Sequence, residues 1–402
     1  MLATELELPS LDYTDTALRG DVYRDAMAAL QPHDGWLAAG PFGYIVTDRE
    51  AGEFFLRTKH AIFPGLTIAE IFQINDGPLY EEIVNNIINV NGDDHRRLRN
   101  LVNPALSPRA VERYRRAMRG FLEQLFAAVG PDGSCEFIRQ FAKPYPSLVI
   151  AHVMGAPLSD APRLHHWSNL IQRQFDPASL TTARPEIERA VSEFYAYEDD
   201  LILARRAAPG DDLISALIVA EAAGDRLSDN ELRNLVLNIL VGGVDTSQSQ
   251  LAHAVRLLAE HPEQWRALRE NPRELALAAV DEAVRYEPIT PFTARILTSE
   301  LEYRGVTFPQ HTIMLVSAWH ANRDGSEDRF DITAARGGAR VLTFGAGIHY
   351  CVGANLARAE MQEALAFLAE RVKTVELDGE PEFGTPSGIY GLESLPLALK
   401  LA

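Results

Sequence analysis

Residues 344–353 read FGAGIHYCVG. Glycines at 345, 347 and 353 let the backbone take left-handed turns and pass close to a bulky group. Cys351, one of two cysteines in the 402-residue chain, sits among them. Its sulfur can be offered to something large and flat, and a thiolate is a strong-donor ligand for iron. A single cysteine in a glycine turn is as readily a small packed hydrophobe, so other stretches have to decide. One is GGVDTS at 242–247. Two adjacent glycines inside a helical pattern cost about 1 kcal/mol each against alanine. A sequence optimised only for helix stability would avoid them; without two Cβ atoms, a flat ligand can lie against the backbone. Thr246 can bond the carbonyl of Gly242, four residues back, and loosen the helix there. Another is His95 with Arg99, one turn apart on one helix face. Two such donors suit a pair of carboxylates. Arg96 and Arg97 are adjacent, so a solvated basic face fits the same residues.

The first window resembles the haem-ligand signature of the cytochrome P-450 family, Phe-Gly-x-Gly-x-His-x-Cys-x-Gly, matched by Phe344, Gly345, Gly347, His349, Cys351 and Gly353. The resemblance extends over nearly the whole chain from Gly40 onward. It implies haem b held through iron by Cys351, with Phe344, Gly345, Gly353 and Gly242 against the ring. His95, Arg99, Arg295 and His349 match the positions that reach the haem propionates. Asp245 and Thr246 look like the family's acid–alcohol pair, which delivers the two protons that dioxygen needs to lose water. A kinked helix with a solvated Asp245 is the plainer account. By resemblance the helix face bearing Asn238 overlooks the substrate, where its amide would bond a substrate oxygen; a neighbouring helix or a water would serve as partner equally well. Val241, Phe292, Ile389 and Tyr390 are expected at the substrate, with Phe63, Phe72 and Ile74 as further apolar liners. Glu282 and Arg285, an ordinary i,i+3 ion pair by spacing, resemble a structural pair behind the haem that engages a later arginine, here expected to be Arg329.

These residues need scaffolding. Residues 17–31 read as a helix, 40–47 as one strand, and a helix begins at about 48. Residues 62–90 read as a loop with short helices, matching the family's variable segment on the distal side. Helical patterns fill 108–206; residues 137–157 look like central buried helices, and 167–175 with 186–206 like a lid. Ser228 and Glu231 form a capping box. Apolar residues at 232, 235, 236, 239 and 240, then 251, 255 and 258, follow it with helical period, giving a central helix of about 45 Å. A further helix starts at Asn271-Pro272. Residues 301–303, 306–308 and 312–317 read as strands, and an apolar helical stripe follows Cys351. No linker or repeat appears, so one domain, 1–402, is expected: mainly α, the cytochrome P-450 fold, with a long central helix over the haem and a small β-rich lobe.

A net charge of −18 argues against a nucleic-acid partner and an anionic membrane surface. Two cysteines make no disulfide framework. The acidic, proline-broken N-terminus lacks the basic and apolar regions of a signal peptide, and no apolar run approaches the length of a membrane span. A cytoplasmic monomer without a membrane anchor is expected, of the bacterial soluble type. The implied activity is hydroxylation of a lipophilic small molecule, a terpenoid, steroid or similar natural product. It uses O2 and electrons passed from NAD(P)H through ferredoxin reductase and ferredoxin. A peroxide-driven peroxygenase and a non-catalytic haem or ligand sensor are the alternatives on this fold. The loop at 325–328 is shorter than the family's usual one, which bears on how a redox partner docks.

Overall fold

The computed structural model describes residues 1–130, 133–222, 227–323, 328–336 and 340–401. Most of them are helical. The helices that carry the argument are α1 (Arg49–Arg57), α2 (Gly65–Ile71), α3 (Gly77–Asn85), α4 (Gly92–Val102), α5 (Pro144–Met154), α6 (Ala161–Gln172), α7 (Arg184–Ala207), α8 (Asp229–Gly243), α9 (Asp245–Glu260), α10 (Pro272–Tyr286) and α11 (Ala354–Arg371).

α8 and α9 make the expected central helix. The capping box forms: Glu231 N–H donates to Ser228 Oγ at 3.2 Å, and Ser228 N–H to Glu231 Oε2 at 2.8 Å. The helical assignment breaks at Val244 (φ −92°, ψ −70°), between the glycine pair and Asp245. Helical hydrogen bonds still bracket the break, from Val244 N–H to Leu240 O and from Gln248 N–H to Val244 O. Leu235, Val236, Leu240, Leu251, Val255 and Leu258 are all buried in the main helical core. Leu237, Val241, Val244, Ala252 and Ala254, off that period, are buried there too, so this helix is packed on several sides rather than along one stripe.

The β lobe is built on a five-stranded sheet. Its strands are β1 (Leu37–Gly40), β2 (Gly43–Val46), β3 (Ala61–Ile62), β4 (Phe292–Leu297) and β5 (Ile313–Ser317), in the order β1-β2-β5-β4-β3. β2 and β5 run parallel; the other pairings are antiparallel. The stretch read as one strand over 40–47 is in fact the turn and second arm of a hairpin that begins at Leu37. Gly43 lets β5 come up against β2: at φ +155°, a Cβ there would stand 2.1 Å from the carbonyl oxygen of Ile313. Residues 62–90 hold two short helices, α2 and α3, as expected. The strands at Leu301–Tyr303 and Val306–Phe308 pair as a hairpin. No helix among the described residues is long and apolar enough to cross a membrane.

Candidate active site

A cavity lies between the α8–α9 helix and the turn that precedes α11, and its wall includes Asn238, Gly242, Thr246, Arg295, His349 and Cys351. The cysteine turn is held open by left-handed glycines. Gly345 has φ +70° and Gly347 φ +71°, and a Cβ on Gly347 would meet the carbonyl oxygen of Leu56 in α1 at 2.9 Å. Cys351 N–H donates to Phe344 O at 2.9 Å, closing the turn. Gly353 and the first residue of α11, Ala354, point backbone N–H groups at the sulfur. Burial pushes the Cys351 thiol up, while those amides, Arg99 and Arg358 pull it back down. A sulfur at a helix N-terminus with two amides aimed at it is a site for an anion. Cys135 differs: it is buried among apolar side chains, and burial pushes its thiol up to about 12. It is a packed hydrophobe.

Beside the sulfur is a knot of donors without acids. Arg295 is 3% exposed; its guanidinium donates to Ala294 O at 2.8 Å, and no carboxylate among the described residues pairs with it. Burial lowers it to about 10. The His95 and His349 rings lie 4.4 Å apart. Burial, then Arg99, lowers His95 to about 4; burial, then His95, Arg295 and Arg99, lowers His349 to about 3. Arg295 and His349 line the cavity, whereas His95 sits behind His349, and Arg99 donates to Tyr350 O at 2.8 Å. A desolvated arginine and two crowded imidazoles beside an anion-seeking sulfur lack a negative partner. A planar group with a metal for the thiolate and two carboxylates for these donors fits that need; haem b is such a group.

On the opposite wall the glycine pair divides its work. A Cβ on Gly242 would meet nothing within 4 Å, whereas one on Gly243 would stand 2.3 Å from Ile150 Cδ1 in α5. Both line the cavity, but only Gly243 is required by helix packing. Thr246 Oγ1 donates to Gly242 O at 2.6 Å, as its spacing implies. Asp245 is buried but faces away from the cavity: its Oδ2 accepts from Ser168 Oγ at 2.6 Å and its Oδ1 from Asn169 Nδ2 at 3.4 Å, both on α6. It is not the solvated aspartate of the plainer account. Asn238 lines the cavity and donates to Asn234 O, in its own helix, at 2.6 Å.

The Cytochrome P450 family model matches residues 45–383. The chain belongs to the cytochrome P450 family. It is 34% identical over 399 residues to luteothin monooxygenase of Streptomyces thioluteus, covering 97% of this chain and 96% of that one. It is 32% identical over 411 residues to a methyl-branched lipid omega-hydroxylase of Mycobacterium bovis, covering 98% and 94%. Among solved structures, CalO2 aligns with a TM-score of 0.87 at 28% identity, over 98% of this chain and 99% of that one. This protein is a bacterial cytochrome P450 monooxygenase with the P450 fold, and its cofactor is haem b.

Several expected contacts do not form. Val241 is buried in the helical core, because the helix turns it away from the face carrying Asn238, Gly242 and Thr246. Phe292 packs on Tyr13 at 5.1 Å; the strand period of two puts Thr293 and Arg295 on the cavity and Phe292 on the other face. Tyr390 is buried in the β-lobe core, its hydroxyl accepting from Gly20 N–H at 3.1 Å, and half-buried Ile389 lies outside the cavity wall. Phe63 lines the cavity, whereas Phe72 and Ile74 do not.

The structural pair also has a different third member. Arg285 Nε donates to Glu282 Oε2 at 2.7 Å, and the second arginine on that carboxylate is Arg336, with Nη2 2.7 Å from Oε1. Arg329 contributes its backbone carbonyl, which accepts from both arginines at 2.9 Å, while its own guanidinium pairs with Asp331. Residues 325–327 of the shortened loop lie outside the described residues; Asp328 accepts from Arg323 at 2.8 Å. Thr293 could have been found from the strand alternation with Arg295. Ser168, Asn169 and Arg336 carry no local signal.

Proposed function

We propose that this cytochrome P450 hydroxylates a lipophilic small molecule of the natural-product kind, a terpenoid, steroid or similar compound, with electrons from a ferredoxin and its reductase. The observation that carries this is the cavity wall: Phe63, Ile88, Ile150, Ile239 and Ile289 are apolar, and Asn238 sets an amide beside them. Such a wall desolvates a hydrocarbon skeleton and orients it through a few polar groups. Relatives named for luteothin, for methyl-branched lipids and for erythromycin point to the same broad class.

When bound, haem b supplies the iron at which dioxygen is reduced and one oxygen atom is passed to the substrate. The chain's residues do the rest. Cys351 would hold the iron as thiolate, and Arg295 and His349 would seat the propionates, with His95 packed behind His349 and Arg99 bracing the ligand turn at Tyr350. Gly242 leaves room beside the helix. Thr246, whose hydroxyl donates to Gly242 O at rest, has lone pairs to accept a proton passed inward and gives up its own toward the cavity as it does so. Asp245 holds the next proton behind it. Protons delivered in this way leave as water. The whole chain acts as one domain, a cytoplasmic monomer.

Reconstitution with ferredoxin, reductase and NAD(P)H against a panel of lipophilic natural products tests this reading. Product that requires both proteins and O2 is expected from compounds that shift the haem Soret band. Equal turnover with hydrogen peroxide alone would replace it with the peroxygenase reading, which Asp245 and Thr246 speak against. Haem binding without NAD(P)H consumption for any compound would leave a sensor.

A further inference from the structure

Asp245 reaches the cavity side of its helix only by turning, because both carboxylate oxygens are engaged by α6 on the far side. Its two partners there are neutral. Ser168 is buried and stands 2.6 Å away; Asn169, at 3.4 Å, is exposed to solvent. His165, one turn earlier on α6, bonds Gln248 Oε1 at 2.9 Å, making a second polar rung between α6 and α9. An arginine or lysine bonded to Asp245 would hold it ionised. A hydroxyl serves either state, because it can donate to the carboxylate or accept from the carboxylic acid. Ser168 has the alternative acceptor this requires: Leu240 O lies 3.5 Å from its Oγ. When Asp245 takes a proton, the Ser168 hydrogen can swing to Leu240 O and leave a lone pair for the acid.

Resting on the acid–alcohol reading, we propose that protons enter this enzyme from solvent at Asn169, between α6 and α9, and are held at Asp245 by Ser168 until Thr246 takes them. Ser168 and Asn169 are positioning residues; neither touches substrate or haem. Each proton leaves solvent water, resides on Asp245, and ends in the water released per turnover, with both electrons coming from the redox partner. The electrostatics agree. Burial holds the Asp245 carboxyl above its ordinary range, opposed by Ser168, then His165, Asn169 and Lys143. Lys143 and His165 are the basic side chains that act on it from the packed elements; Glu360 of α11, buried, faces the neighbouring Ser247.

The test compares Asn169→Leu, Ser168→Ala, Ser168→Thr and Asp245→Asn in the haem-loaded enzyme. The carbon-monoxide difference band and substrate affinity serve as controls for folding. Infrared difference spectra on pH change should show a protonated-carboxyl stretch that Asp245→Asn removes. Its titration should move in Ser168→Ala and return in Ser168→Thr. In turnover, Asn169→Leu and Ser168→Ala should lower product per NAD(P)H, raise peroxide release and enlarge the solvent isotope effect, with kcat falling about tenfold, below the full worth of a positioned proton donor. If Asp245→Asn impairs coupling while Asn169→Leu and Ser168→Ala match the parent, the path enters elsewhere and the proposal is wrong. If Asp245→Asn itself changes neither coupling nor isotope effect, the acid–alcohol reading falls first.

Discussion

Replacing Gly242 and Gly243 one at a time with alanine should have opposite consequences. An alanine at either place gains up to about 1 kcal/mol of helix propensity. At 242 nothing offsets that, since no atom lies within 4 Å of the new Cβ. Gly242→Ala should therefore be more stable than the parent by up to about 1 kcal/mol, and the family pattern, which accepts alanine or glycine there, agrees. At 243 the new carbon would stand 2.3 Å from Ile150 Cδ1 and 2.9 Å from Cγ1. Carbon atoms rest about 3.5–4.0 Å apart, so the fully buried Ile150 must retreat by more than about 1 Å. Overpacking of this kind costs about 1–3 kcal/mol, which leaves Gly243→Ala about 0–2 kcal/mol less stable than the parent. The two variants should thus differ by about 1–3 kcal/mol, and Gly243→Ala with Ile150→Val should recover part of the loss. Denaturant unfolding of the haem-loaded proteins, followed by circular dichroism, resolves that gap. In a thermal scan it amounts to only roughly 1 °C per kcal/mol for a chain this long. Equal stability of the two single variants would refute the division of labour between these glycines.

Arg336→Ala should destabilise by about 2 kcal/mol, the worth of charged hydrogen bonds to buried Glu282. Arg329→Ala should cost less, because its own guanidinium is mostly exposed and an ion pair held at the surface is worth little; denaturation midpoints decide between them, and the reverse order would restore Arg329 to the triad. Arg295→Gln should speed haem transfer to an acceptor apoprotein by about tenfold, for the loss of about 1.4 kcal/mol of charged hydrogen bonding; an unchanged rate would remove Arg295 from the propionate site. His320 bonds Ser317 Oγ and Met27 O, and burial, aided by Arg323, lowers it to about 4. The unfolded chain binds its proton near 6.5, so this group's contribution is complete above pH 6.5 and is lost as pH falls toward 4, by up to about 3 kcal/mol. His320→Gln should flatten that part of the stability–pH curve, and an unaltered slope would show that the folded imidazole takes up its proton as readily as the unfolded one.

What the sequence makes legible here is what local chemistry dictates. The capping box at Ser228, the hydroxyl return from Thr246 to Gly242 and the glycine turn around Cys351 each depend on residues within a few positions, and all three form. Misplaced contacts have long-range causes. Phe292 is the exception, since the alternation with Arg295 already places Thr293 inward. Arg329 and Arg336 sit seven apart in one segment, and only the path of that segment past Glu282 shows which guanidinium arrives. Ser168 and Asn169 become partners of Asp245 across more than seventy residues of chain, through the packing of α6 on α9. Periodicity marks those helices and says nothing about which of their polar residues meet.

The fit of Gly347 beneath the Leu56 carbonyl has a consequence for engineering. With φ +71° and a Cβ that would stand only 2.9 Å from that oxygen, any side chain at 347 would lever the thiolate turn off the end of α1. Transplanting the cysteine motif into another scaffold would fail unless the floor it rests on travelled too. Chimaeras that exchange N-terminal lobes should keep their haem only when the crossover carries α1 and the turn from the same parent.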